Sequence, residues 1–192
     1  EPLTGAPGAV LLYALVGVLV WPGERAGGLL DARGARTLWA GLWFLMAWFW
    51  LEPASSGASA SADAIKGASS GMGWLSSVQH WVAKGAQGNG LIIAIVLAAA
   101  SVVIAIGVGS DRWGRPLLWL AIVLNLLYWV LGQGLGGIFA GGATDPNAGP
   151  LFILLAVAMF PLVGTGERAP ARARAPSTSA AALTGSLEPR SA

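Results

Sequence analysis

The sequence predicts an all-α membrane protein with about five transmembrane helices and one interfacial amphipathic helix on the extracytoplasmic side. Hydrophobic residues make up 55% of the 192 residues and charged residues only 10%, whereas a soluble domain carries about 25% charged residues. The charged residues lie between long apolar runs. Because about 20 apolar residues are enough for a helix to cross a bilayer, we expect lipid to surround most of the chain.

The first two apolar runs predict spans at about 3–21 and 36–51. The second run is rich in tryptophan and phenylalanine, and its Trp39, Trp43 and Trp50 fall on one broad helical face. The simpler interpretation is an aromatic belt combined with helix packing. The alternative is a stacking face for a quinone, pigment or sterol-like ligand.

The connection between the second and third spans is the longest one between spans. Its residues 54–62 read ASSGASASA and predict a mobile, low-complexity segment. Residues 74–84 then predict an amphipathic helix, which is too short to cross a bilayer and should lie flat in the interface. Its predicted apolar stripe consists of Trp74, Leu75, Val78, Trp81 and Val82.

The third and fourth runs predict spans at about 90–108 and 116–139. The third run carries small residues at helical spacing, which favour close approach of another helix. Asn125 lies near the middle of the fourth run, and an amide in hydrocarbon needs a polar partner. We expect Ser101 of the third run to be that partner. The small-residue stripe consists of Ala94, Ala98, Ser101 and Ala105.

The fifth run predicts a span at about 146–163. Asp145 or Thr144 would then be its N-cap, and Pro146 its first helical residue. The remaining residues, 165–192, are rich in Pro, Ala, Ser and Arg and predict a disordered cytoplasmic tail.

The distribution of basic residues predicts the orientation in the cell membrane. Nine of the 11 Lys and Arg residues fall in the first loop, the third loop and the tail, which should therefore be cytoplasmic. Only Lys66 and Lys84 fall on the other side, so loops 52–89 and 140–149 should be extracytoplasmic. Because the first residue is Glu1 and the span number is odd, we expect further chain upstream.

The glycine-rich connection 132–150 contains most of the candidate site. Its glycines predict either close helix packing or an unwound end of the fourth run. Oxygen-bearing side chains at an unwound segment would suit a hard cation or a sugar-like polar group. The simpler interpretation is that the glycines pack helices and that residues around Asp145 form a turn and cap. The candidate ligand or packing residues are Asn125, Gly132, Gln133, Gly136, Asp145 and Asn147.

Two strings in this part of the chain carry a resemblance. Residues 129–137, WVLGQGLGG, together with 143–150, ATDPNAGP, resemble a GQGxGG…ATDPxxGP motif in multi-pass membrane proteins of high-GC actinobacteria. The resemblance covers the spans and this connection but not the tail. It implies no activity, and it marks only Gln133 and Asp145 as residues to test.

The sequence favours a structural or a ligand- or partner-binding role. The absence of cysteine excludes disulfides and thiolate chemistry, and His80 is the single histidine. We therefore expect no metal or other cofactor, and no acid–base or nucleophile set points to catalysis. A transporter or channel component for a small polar solute or cation is the alternative, and a membrane-embedded enzyme is less favoured. The expected partners are the lipid bilayer and a second copy or another membrane subunit, and not nucleic acid.

Overall fold

A computed structural model describes residues 6–21, 29–68, 70–141 and 147–163, and every regular element in these ranges is a helix. The all-α prediction is therefore confirmed for this part of the chain. The α-helices are α1 (Ala6–Val20), α2 (Ala32–Leu51), α3 (Pro53–Ser56), α4 (Ala60–Gly67), α5 (Gly73–Ala86), α6 (Gly90–Gly107), α7 (Gly114–Leu127) and α8 (Ala148–Met159).

Two helical stretches have the length and apolar composition that a membrane span requires. One is α6, and the other is Gly114–Gly132, which consists of α7 and the π-helical turn that continues it. Two further apolar helices are shorter, over Val10–Val20 and Ala148–Leu162. The five-span arrangement stays a prediction.

α2 is anchored at both ends. Asp31 is its N-cap, and the carboxylate of Asp31 accepts a hydrogen bond from the Gly34 backbone N–H at 2.6 Å. Near this end, the Arg36 guanidinium donates to the Leu162 carbonyl from Nε at 2.9 Å and from Nη2 at 2.6 Å. At the other end, Pro53 begins α3 directly after the C-cap Glu52, as expected where proline cannot continue a helix.

The main hydrophobic core lies between α1, α2, α8 and the adjoining ends of α6 and α7. Trp39, Leu155 and Met159 are among its fully buried side chains. α6 makes its most extensive helix contacts with α2. The predicted small-residue stripe of α6 is buried at all four positions, as close helix packing requires.

Residues 54–62 of the long connection, expected to be mobile, form most of α3 and the start of α4. α5 contains the predicted amphipathic helix. The face that it packs against the bundle is not the stripe predicted for the membrane interface, of which only Leu75 is buried. Leu75, Gln79 and Ala83 are buried, whereas Trp74 and Trp81 are 65% and 78% exposed. Ala83 and Ala86 pack against Ala62 of α4, because their short side chains allow the two helices to approach closely.

Two helix boundaries also differ from the predicted spans. The helix of the fourth run ends at Gly132 instead of continuing to Phe139, and a short 3-10 stretch, Gly134–Ala140, follows it. α8 begins at Ala148 with Asn147 as its N-cap, and not at Pro146. Both differences lie in the glycine-rich connection.

Candidate functional site

The chain after the fourth run turns in the left-handed direction. Four consecutive residues have positive φ: Gly134 (55°), Leu135 (59°), Gly136 (70°) and Gly137 (71°). Glycine adopts this conformation readily, whereas each L-residue in it costs about 1–2 kcal/mol. The glycine cluster therefore ends the helix at Gly132 and leaves Leu135 as the strained residue of the turn.

Gln79 of α5 supplies hydrogen bonds at this break. Its Nε2 donates to the Leu131 carbonyl at 3.0 Å and to the Ala68 carbonyl at 3.0 Å. The side chain is only 3% exposed, and both amide N–H groups are used. Because a buried carbonyl left without a donor is costly, this amide stabilises the broken helix end.

Gly71 brings the loop before α5 against the segment that follows the break. Gly71 has a φ of +72°, and a Cβ atom there would overlap the backbone of Phe139 and Ala140. The loop and this segment therefore touch backbone to backbone, which only glycine permits at this position.

Two of the predicted site residues, Gln133 and Asn147, meet at the N-terminus of α8. The Gln133 Oε1 accepts from the Gly149 N–H at 3.1 Å, and the Asn147 Oδ1 accepts from the Ala148 N–H at 2.8 Å. The first N–H groups of a helix have no partners within the helix. In this structure Gln133 and Asn147 therefore act as capping residues.

A cavity of about 310 Å³ lies beside the broken helix end and borders the main core at Trp43 and Phe152. α2, α6 and α7 form its walls, and α3 and α4 cover it. Four lining residues are also exposed, so the cavity reaches the surface beside α3 and α4 and beside the end of α7: Ala54, Ala64, Leu127 and Tyr128. Its lining residues that bear on its chemistry are Trp43, Trp50, Ser101, Asn125, Tyr128 and Phe152.

Asn125 and Ser101 provide polar groups in the wall. The predicted hydrogen bond between them is replaced by bonds within their own helices. Asn125 Nδ2 donates to the Ala121 carbonyl at 2.8 Å, and Ser101 Oγ donates to the Leu97 carbonyl at 2.8 Å. Since a primary amide has two N–H donors and a carbonyl acceptor, Asn125 retains hydrogen-bonding capacity toward the cavity.

Aromatic rings line two sides of the cavity. Trp50 and Tyr128 form an edge-to-face pair with centroids 6.0 Å apart, and Trp43 and Phe152 form another at 6.2 Å. The indole Nε1 of Trp43 is buried and has no hydrogen-bond partner within the described residues. The described lining contains no charged side chain.

The structure therefore separates the predicted site residues into groups. Asn125 and Gly132 line the cavity, Gln133 and Asn147 cap α8, and Gly136 lies in the left-handed turn. Asp145 lies outside the described residues, together with Thr144 and Pro146.

Sequence reasoning missed Gln79 and the serines of α3 and α4 that line the cavity. The signal for Gln79 was a second stripe in α5, in which Leu75, Gln79 and Ala83 recur at i, i+4 and i+8. Ser55 and Ser61 gave no such signal, because they lie in a low-complexity stretch.

In the described ranges, no three His, Asp or Glu side chains are grouped closely enough to hold a metal ion. Comparison with protein-family models, curated proteins and solved structures found no match to this chain. The resemblance to actinobacterial membrane proteins stays a prediction.

Proposed function

We propose that this chain is a five-span membrane protein that binds a small uncharged molecule in the cavity beside the broken end of α7. The observation that carries this proposal is the cavity of about 310 Å³ with an apolar, aromatic wall, in which Asn125 has the single side-chain amide among the described lining residues. Sites for small molecules commonly combine about 300–1,000 Å³ of mostly apolar space with a few polar groups.

The exposed apolar surface of the bundle supports a membrane location. On α6, Ile92 and Ile106 are 64% and 65% exposed, and on α7, Trp119 is 60% exposed. Soluble proteins rarely expose large continuous apolar surfaces, whereas lipid accepts them. α1, α2 and α8 would then supply the other three spans, with the tail and loops one and three in the cytoplasm.

Labelling of single cysteines tests this topology, because the chain has no native cysteine. Gly85 and Gly109 are exposed and have room for a side chain. We expect a membrane-impermeant maleimide to label Gly85→Cys in intact cells and Gly109→Cys only after permeabilisation. Equal labelling of both variants in intact cells, or the reverse pattern, would contradict the proposed orientation.

The wall favours binding over catalysis. It offers an amide, hydroxyl groups and aromatic rings, but the described lining includes no carboxylate, histidine or lysine. General acid–base catalysis needs a group whose pKa lies near the working pH. The described wall is instead mostly apolar, and the amide of Asn125 gives it a directional hydrogen-bonding group.

Blocking the cavity tests the binding role. Ala64 lines the cavity from its exposed side, so Ala64→Phe should fill the opening without disturbing the main core. Ala99→Phe is the matched control, since Ala99 is exposed on α6 and lies outside the cavity lining. By native mass spectrometry in mild detergent, we expect a bound small molecule on the wild type and on the control but not on Ala64→Phe. Equal occupancy of both variants would refute the cavity as the binding site.

Transport is the second candidate, and the broken helix favours it. Leu131 and Gly132, the last residues before the break, line the cavity. Broken helices at membrane depth form the substrate sites of many transporters. The uncharged wall makes a neutral solute a better cargo than a cation. Uptake of the bound molecule into proteoliposomes that Ala64→Phe abolishes would support transport, and binding without uptake would leave the binding role alone.

A further inference from the structure

We infer that the molecule bound in the cavity is a flat ring that carries a carbonyl group, with quinones as the chemical class that fits best. This inference rests on the proposed function, because it takes the cavity beside α7 as the binding site. The shape of the wall and the hydrogen-bonding capacity that Asn125 leaves unused indicate this class of ligand.

The shape of the cavity favours a ring over an acyl chain. A volume of about 310 Å³ is near the lower end of the usual range for small-molecule sites, which suits one or two fused rings. Four aromatic side chains lie in the wall as two edge-to-face pairs, Trp50 with Tyr128 and Trp43 with Phe152. Aromatic faces and edges interact favourably with a further flat ring beyond the area that is buried.

The unmatched hydrogen-bonding groups favour a carbonyl acceptor on that ring. Asn125 uses one of its N–H groups on the Ala121 carbonyl, and its amide has a second one. Because a buried donor without an acceptor is destabilising, a ligand oxygen that pairs with this second N–H gains affinity.

The absence of charged side chains in the described wall indicates that the ligand is neutral. The described lining carries neither acidic nor basic side chains, so a charged headgroup would lose its hydration without gaining a counter-ion. A neutral quinone ring loses little hydration on entry.

A binding assay with a defined quinone tests the inference. We would measure equilibrium binding of tritiated 2-methyl-1,4-naphthoquinone to the full chain in lipid nanodiscs and subtract binding to empty nanodiscs. We expect saturable binding at about one molecule per chain. Asn125→Leu should weaken it by about tenfold, because the loss of a buried hydrogen bond has this order of effect.

Two further variants separate recognition from folding. Asn89→Leu is the matched control, because Asn89 also donates from Nδ2 to the carbonyl four residues earlier, at 3.1 Å, but lies outside the cavity lining. It should bind the naphthoquinone as the wild type does. Trp43→Phe keeps an aromatic ring and removes an indole N–H that is fully buried, so it should also bind the naphthoquinone as the wild type does.

The outcomes distinguish the ligand class from the binding role. Saturable binding of 1-dodecanol that Ala64→Phe abolishes, with none of the naphthoquinone, would overturn the ring class and leave the cavity as a binding site. If neither probe binds saturably, or if Ala64→Phe leaves naphthoquinone binding unchanged, the cavity fails as its site. Wild-type affinity in Asn125→Leu would overturn recognition through a ligand carbonyl.

Discussion

Gly90→Ala is expected to push α3 and α4 away from α6 and to open the cavity. Gly90 is the first residue of α6, and its N–H donates to the Ala58 carbonyl at 3.1 Å. A Cβ atom on Gly90 would overlap the Gly57 carbonyl oxygen and would lie 2.9 Å from its carbonyl carbon. These are backbone atoms, so no side-chain rotation relieves the overlap, and the cover of the cavity must move.

We expect Gly90→Ala to lower the free energy of unfolding by about 1–3 kcal/mol, the usual range for overpacking. It should also release the bound molecule, as measured by native mass spectrometry. Gly85→Ala is the control, since Gly85 lies within α5 and has nothing near the position of its Cβ atom. That variant should be more stable than the wild type by about 0.5–1 kcal/mol. An unfolding midpoint for Gly90→Ala equal to that of the wild type would show that α3 and α4 do not rest on α6 as described.

The helices that could be predicted best are those specified by local sequence. The end of α2 follows from Pro53 after Glu52, and α6 follows from an uninterrupted apolar run. The buried face of α6 was also readable, because small residues at helical spacing have few uses other than close packing. Each of these signals lies within about one helix length of the feature that it determines.

The features that could not be predicted depend on distant parts of the chain. The glycines at 132–137 showed that the fourth run can unwind, but they did not show what stabilises the unwound state. That partner is Gln79, which is 52 residues from Leu131 in the sequence. The inward face of α5 depends on the same distant contact, because Gln79 is buried at the break whereas Trp74 and Trp81, from the stripe predicted for the membrane interface, are exposed.

Some residues of the cavity wall could be predicted from the sequence, but the cavity itself could not. Asn125 was visible as an amide in an apolar run, and Trp43 and Trp50 as members of an aromatic face. Their common cavity arises because α3 and α4 fold back over the gap between α2, α6 and α7. Composition gave no sign of that fold, since a run of Ala, Ser and Gly is equally typical of a mobile linker.

Gly71→Ala is expected to detach α5 from the broken end of the fourth run. Two effects combine at this position. An alanine at a φ of +72° is strained, and its Cβ would overlap the backbone of Phe139 and Ala140. We expect the free energy of unfolding to fall by about 2–5 kcal/mol, as the sum of backbone strain and overpacking. The hydrogen bond from Gln79 to the Leu131 carbonyl should weaken as the two segments separate.

Gly88→Ala separates the effect of positive-φ backbone strain from the effect of the backbone contact that Gly71 makes. Gly88 has a φ of +81° but nothing near the position of its Cβ atom, so alanine there should cost only about 1–2 kcal/mol. Hydrogen exchange distinguishes the two variants: the amides of residues 131–140 should exchange faster in Gly71→Ala and at the wild-type rate in Gly88→Ala. If both variants lose the same stability and leave that segment protected, the loop before α5 does not support the break. The left-handed turn would then be maintained by the glycines and by the contact of Gln133 with α8 alone.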